Sequence, residues 1–503
     1  MQRHRTRAGI LAVLTLGVAL VGCRGSDDDD ATDEVATQES PPSAGADTAG
    51  ADTASADTAS ADTASADTAA ADTASADTAS ADTASGDTAG GATTAGSTAG
   101  SAAGSGDVVM APEVECPDSE PGLSDTEVVL GGTYPLSGPV AAYASIPKGQ
   151  DAYFQHINEQ NGGVTFGDGV TREITWNFLD DQYTPDKTLE NVRRLLENEG
   201  AWFIFNPLGT PPNTAIRDYM NENEVPQLYV ATGASKWGNE HEEYPWTIGY
   251  QPDYESEGIA YAQYILGENP EAQIGILYAN DDFGKDYLNG LREGLGDSAD
   301  QLVSEVTYET TDATIDSQVS QVVDSGVDTF VLIATPTFAI QGINRLQAVG
   351  FEGQKILTSV SSSVGAVMGQ VQDGAAEGFV TSVYLKDPSS PEYDEDPAMQ
   401  EAKEILLAAY PDANVDDGFY FYGISVAQLL ERTFQSMPTT CRAALMAAAE
   451  NLSWEDPPLT LEGIGIETGD GDYFPLQQVQ LERWEGDGWV TFGDIIDAAD
   501  IQD

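Results

Sequence analysis

Gly209-Thr210-Pro211 stands between an apolar strand-like run and a helix-like one, so it should present backbone N–H groups and a hydroxyl at a helix start, chemistry that suits a carboxylate. The same residue types make turns whatever the protein does, and plain turn chemistry is the alternative. Spacings that would support catalysis are missing. The sequence has no G-x-S-x-G elbow and no phosphate-binding Gly-rich loop; "HEEYP" is not H-E-x-x-H, and "GIGIETG" lacks the spacing and strand context of a dinucleotide site. Asp281-Asp282 reads as a helix cap or a solvated face. "GDGD", Gly469 to Asp472, has too few further oxygen ligands around it for calcium and suits a hairpin turn. His4, His156 and His241 are scattered, and Cys23, Cys116 and Cys441 form no C-x-x-C pair, so no zinc site is encoded. The expectation is a binding protein, not an enzyme, with no cofactor and no metal.

The elements that would carry such loops follow from Thr126 onward. "EVVLGGTY", "EITWNFLDD", "AWFIFNPLG" and "VPQLYVATG" read as strands, and "GQDAYFQHINEQNGG", "TLENVRRLLENEG" and "TAIRDYMNENE" as helices between them, the first stopped at Gly162 and Gly163. The rhythm restarts at "QIGILYANDDFGKDYLNGLREGLG", "DTFVLIATP", "QGINRLQAVG" and "KILTSVSSSVG". Alternating strands and helices imply an α/β protein with parallel sheets whose ligands gather at the carboxyl ends of the strands. Two such series imply two similar lobes with a cleft between them.

Composition narrows the partners. Lys and Arg number 20 against 84 Asp and Glu, a formal net charge of −64 over 503 residues. Nucleic-acid binding needs clustered cations, so it is excluded, as is electrostatic attachment to anionic lipid. An acid excess on this scale keeps a chain hydrated, and it is also a device of salt-adapted proteins.

The N-terminal segment sets the compartment. Arg3, Arg5 and Arg7 precede an apolar run from Ala8 to Val21, shorter than the roughly 20 residues of a spanning helix and shaped like a secretory signal. Its end, Leu20-Val21-Gly22-Cys23, resembles the lipobox of bacterial lipoproteins, which implies removal of residues 1–22, lipidation of Cys23 and a lipid anchor on the outer face of a cytoplasmic membrane. Residues 23–125 are then expected to be a disordered tether: "ADTAS" recurs from Ala46 to about Ala89 with almost no large apolar side chains, and its aspartates repel one another. A tolerated repeat expansion is the alternative. Cys116 and Cys441 can pair in an oxidising compartment.

"GGTYPLSGP", the Asp180-Asp181 pair with Pro185, "VPQLYVATGASKW", "NDDFGKDYLNGLREGL" and "GDYFPLQQVQLERW" together resemble the leucine/isoleucine/valine-binding family, the type 1 periplasmic substrate-binding proteins of ABC importers. The likeness runs from about residue 126 to the C-terminus. It implies an α/β fold of two Rossmann-like lobes joined by crossover hinge strands, with an interlobe cleft that closes on a ligand. Lobe 1 would take 126–250 plus 378–454, and lobe 2 would take 251–377 plus 455–503.

The resemblance also places the ligand contacts. It puts Tyr143 as an aromatic lid, Gly209 and Thr210 on one side of a carboxylate, Gly233, Ala234 and Ser235 on the other, and Phe283, Thr335 and Ser361 on lobe 2, with Tyr134 among the nearby aromatics. The acidic ammonium clamp of amino-acid receptors is weakened here: Gln251 or Tyr254 stands at the first position, with Asp253 nearby, and Ser361 at the second. The expected protein is a monomeric solute receptor handing a branched-chain amino acid, or a related amide or carboxylate, to an ABC permease. Its alternatives are a receptor for aromatic acids and a sensing or surface-interaction module on the same fold.

Overall fold

The computed structural model describes residues 108–469 and 471–501. The expectations for the export segment 1–22, for lipidation of Cys23 and for the tether as far as residue 107 lie outside those residues.

Residues 108–125 belong to the folded body, which corrects the tether boundary expected at 125. The Ala111 N–H donates to the Ser436 carbonyl at 2.9 Å, and the Thr439 hydroxyl to the Val114 carbonyl at 3.2 Å. The Glu120 carboxylate accepts from the Trp202 indole at 2.6 Å and from the Arg442 N–H at 2.9 Å. Cys116 is disulfide-bonded to Cys441, 325 positions further on, with Cα atoms 5.6 Å apart. Composition explains the change: Val114 and Leu123 pack on the core, larger apolar side chains than the Asp/Ala/Thr/Ser repeat offers.

The first lobe is built from β1 (Glu127–Tyr134), α1 (Ser145–Asn161), β2 (Val164–Thr165), β3 (Thr171–Asp180), α2 (Pro185–Glu197), β4 (Phe203–Phe205), α3 (Thr210–Glu222), β5 (Gln227–Val230), α4 (Lys236–Asn239) and β6 (Thr247–Gly249). Its sheet runs β2-β3-β1-β4-β5-β6, parallel except at β2–β3. Every residue of β4 and β5 is buried, as continuous runs such as Phe-Ile-Phe require when helices cover both faces. α1 stops at Gly162, which takes φ 71° so that its N–H reaches the Asn158 carbonyl at 2.9 Å.

The second lobe follows with α5 (Tyr254–Glu268), β7 (Ile274–Ala279), α6 (Asp282–Leu295), β8 (Leu302–Tyr308), α7 (Asp316–Asp324), β9 (Thr329–Ile333), α8 (Pro336–Val349), β10 (Gln354–Leu357) and β11 (Phe379–Val383). The chain then returns to the first lobe, where α9 (Pro397–Ala409) and α10 (Gly418–Ser436) pack on α1, and α11 (Arg442–Ala449) follows. After the short pair β12 (Ser453–Trp454) and β13 (Ile466–Glu467), it re-enters the second lobe as β14 (Gln478–Glu485), β15 (Gly488–Asp497) and α12 (Ala498–Ile501). The second sheet runs β15-β14-β11-β10-β9-β7-β8, with β14 and β15 antiparallel on its edge. Because β11 pairs with β10 and β14, the return to the first lobe comes after Val383, one strand later than the expected 378.

The two sheets repeat one topology. β3-β1-β4-β5-β6 and β8-β7-β9-β10-β11 share the order 2-1-3-4-5, counted within each lobe. In such a sheet the chain runs outward in opposite directions on either side of the first strand, which leaves a crevice between the first and third strands at their carboxyl ends. Here those ends are Tyr134 and Phe205 in one lobe, and Ala279 and Ile333 in the other.

Candidate functional site

A cavity of about 140 Å³ lies where the two crevices meet. The loops that follow β1, β4, β7 and β9 deliver Tyr143, Gly209, Thr210, Phe283 and Thr335 to its wall. Helices α3, α5, α6, α8 and α10 all turn their N-terminal ends to this wall, through Thr210, Tyr254, Phe283, the N-cap Thr335 and Gly418. Their positive dipole ends favour acceptor or anionic atoms on a ligand. The Thr335 hydroxyl is buried and has no hydrogen-bond partner at ordinary distance and angle among the described residues. It is therefore free to serve a ligand, whereas the Thr210 hydroxyl is shared with that of Thr232 at 2.5 Å.

The Asp180-Asp181 pair shapes the approach to the cavity through two different jobs. Burial pulls the pKa of Asp180 up, but the Ser137 hydroxyl at 2.6 Å and the N–H groups of Gln182, Leu136 and Ser137 outweigh it and hold this carboxyl below its ordinary value. Asp181 is fully buried, which raises its pKa to about 6 although Tyr183 N–H, Thr133 and Thr188 donate to it. Together the two carboxylates hold Gln182 and Tyr183 at φ 54° and 59°, a left-handed conformation that a bulky residue adopts only when its surroundings force it. The Tyr183 ring lies so close to Gly209, at φ 95°, that a Cβ there would sit 2.3 Å from a ring carbon.

Aromatic rings from both lobes also line the wall. Tyr143 packs against Phe419 at 4.9 Å between centroids, and Tyr254 meets Phe283 edge-on at 5.2 Å. Gln251 is committed to structure: its amide donates to the Tyr254 hydroxyl at 3.2 Å and accepts from Tyr422 at 3.3 Å.

The lobes are closed on this cavity. The Tyr143 hydroxyl donates to the Val360 carbonyl at 3.1 Å, and the Ser363 hydroxyl to Asp417 at 3.0 Å. At the rim Lys236 pairs with Asp282 at 2.9 Å, an interaction that holds Asp282 below its ordinary pKa, and the Ser235 N–H donates to Asp286 at 3.0 Å. Burial raises Asp286 to about 7, with Glu255 and Asp253 adding to the rise against the Ser235 hydrogen bond.

The sequence profile of periplasmic binding proteins matches residues 127–486, which takes in the first sheet, the second sheet except β15, and most of the cavity wall. The chain belongs to the periplasmic binding protein family. Among solved structures it is similar to a substrate-binding periplasmic protein from Ralstonia solanacearum, at TM-score 0.64 and 20% identity over 73% of this chain and 100% of that one. A branched chain amino acid ABC transporter protein from Thermus thermophilus with bound valine gives 0.64 and 14% over 75% and 97%. A solute binding protein of an ABC transporter from R. palustris in complex with benzoate gives 0.60 and 18% over 73% and 96%. At these identities the likeness is one of fold. No curated protein sequence matches the chain.

In this periplasmic binding protein the expected contacts divide. Tyr143, Gly209, Thr210, Tyr254, Phe283 and Thr335 line the cavity. Tyr134 does not: it is buried in the first lobe, edge-on to Trp176 and Phe178, with its hydroxyl donating to Gln150 at 2.9 Å. Gly233, Ala234 and Ser235 also lie off the wall. Gly233 accepts the Tyr254 N–H at 2.7 Å, Ala234 is buried, and Ser235 faces Asp286 across the rim, so this loop serves the hinge and the lobe contact. Ser361 sits behind the wall, its hydroxyl donating to the Ala334 carbonyl at 2.6 Å, while Val360 and Ser362 reach the cavity.

Tyr183, Tyr422, Phe419, Tyr384, Trp489 and Glu482 are wall residues that the sequence reading did not single out. "GFYFYG" carries a signal for two of them, since four consecutive aromatics exceed what one buried helix face needs. Glu482 carries none. In "QVQLERWE" the alternation puts Gln478, Gln480 and Glu482 on the polar side of the strand, where an acid reads as solvent-facing.

Proposed function

We propose that this periplasmic binding protein is the solute receptor of an ABC importer, capturing one small molecule between its lobes outside the cytoplasm and delivering it to the permease as a monomer. The observation that carries this reading is the closed, aromatic-walled cavity at the junction of two switch points. Its size is near that of a roughly 150 Å³ cavity that holds benzene, so the solute is on the order of six to ten non-hydrogen atoms. Branched-chain amino acids and related amides or carboxylates fit those limits. So do small aromatic acids, a second class favoured by Tyr143, Tyr254, Phe283 and Phe419. We place the protein on a lipid anchor at Cys23, with the repeat segment as its tether. A thermal-shift screen of such solutes tests the capture step, because a tight ligand raises apparent stability by mass action. Deletion of the protein should then abolish uptake of the solute that scores. Ligand binding with intact uptake would mean sensing, and no shift with any small solute would overturn the receptor reading.

A further inference from the structure

Glu482 of β14 stands in the cavity wall at 3% exposure. No hydrogen bond or ion pair to its carboxylate occurs among the described residues. Nearby carboxyl groups are used differently. Asp387, also in the wall, accepts from the Ser389 N–H and hydroxyl at 2.9 and 2.8 Å. Glu257, behind it, accepts from Ser359 at 3.0 Å, Tyr261 at 3.1 Å and Ser382.

The cations that could answer Glu482 are already taken. Lys386, in the same wall, gives its ammonium to Asp396 at 2.8 Å and to the Pro458 carbonyl at 2.9 Å. Arg483, next along the strand, turns to the Tyr264 hydroxyl at 3.0 Å and lies over Phe492. Burial, and after it the charge of Asp387, pushes the Glu482 pKa well above the ordinary carboxyl range, as expected of an acid with no counter-charge. Register puts Trp484 and Trp489 opposite each other, and Glu482 and Trp484 lie two residues apart on β14, so Trp489 shares a sheet face with Glu482 and also reaches the cavity. A carboxylate beside aromatic rings in a dry wall is the environment that takes up an organic cation.

We propose that Glu482 is the specificity-determining residue of the cavity and receives the cationic nitrogen of an ammonium-bearing solute whose apolar body lies against the aromatic wall. This rests on the receptor reading above and names the class of solute. The group comes from the antiparallel edge of the second sheet, and not from the hinge or the Ser361 loop.

Calorimetry on the full chain with matched probes tests it: 2-phenylethylammonium against 3-phenylpropionate and 2-phenylethanol, and isopentylammonium against 4-methylpentanoate. The ammonium members should bind, and Glu482→Gln should lower their affinity by at least about 100-fold, the scale of breaking a buried charge pair. The unliganded variant should melt no lower than the parent, because it has lost an uncompensated carboxylate. Equal ammonium affinity in the variant, or binding confined to the carboxylate or alcohol probes, would overturn the assignment and leave the receptor reading standing. If neither these probes nor any solute of the broader screen binds, the receptor reading itself fails, and this inference with it.

Discussion

Replacing Thr335 by valine removes one oxygen atom from the cavity and separates binding from folding. Its hydroxyl has no hydrogen-bond partner among the described residues, so the variant should melt at or slightly above the parent temperature. A ligand that uses the hydroxyl should bind about tenfold more weakly by calorimetry, the worth of one hydrogen bond. Gly209→Ala should do more: at φ 95° the new methyl would meet the Tyr183 ring, and both the loop and ligand affinity should suffer. The residue scale is also where the sequence was hardest to read. Gly209, Thr210 and Thr335 are legible because strand ends with turn chemistry announce themselves locally. Tyr134 misleads because a strand-end tyrosine looks the same whether it points to the core or to a ligand. Glu482 is illegible because an acid alternating with glutamines along a strand looks solvent-facing, and its burial in the cavity wall appears only in the folded chain.

At the scale of elements, the rim contact between α4 and α6 should set how often the lobes are closed. Lys236→Gln removes the pair with Asp282, which is about half exposed and so worth under about 1 kcal/mol. Apparent affinity should fall a few-fold with added salt masking the difference, while the melting temperature stays put. α5 carries a different test. Glu257 has a folded pKa near 7 against an ordinary 4.5, mainly through burial, with hydrogen bonds from Ser382 and Ser359 opposing the rise. A raised acid pKa gives stability that is complete below about pH 4.5 and lost as pH climbs through 7, on the order of 3 kcal/mol in all. Melting curves between pH 4.5 and 8 should fall less steeply in Glu257→Gln; parallel curves would contradict the assignment. The strand-helix alternation of both lobes was readable because buried parallel strands are short apolar runs with glycine or proline at their ends. The return point was not, since Phe379–Val383 would suit either sheet and only pairing with β14 decides it.

The whole chain carries a formal net charge of −64. Self-repulsion should make its melting temperature rise with salt over the range in which the Debye length shrinks from about 30 to 8 Å. The Cys116–Cys441 bond ties residues 108–125 to the start of α11, and neither cysteine lines the cavity. Cys116→Ser should therefore lower stability by roughly 2 to 5 kcal/mol and leave ligand affinity unchanged. Cys23→Ser should release the protein from the membrane without altering binding. The central claim is that a small solute draws the two lobes together, and a distance across the cleft measures it most directly. With Cys23 replaced by serine, fluorophores on Glu190→Cys of α2 and Ser317→Cys of α7, both exposed positions, report the lobe separation. Transfer efficiency should rise as the bound solute increases and saturate with the binding isotherm. A solute that binds one to one while the efficiency stays flat would contradict capture by closure.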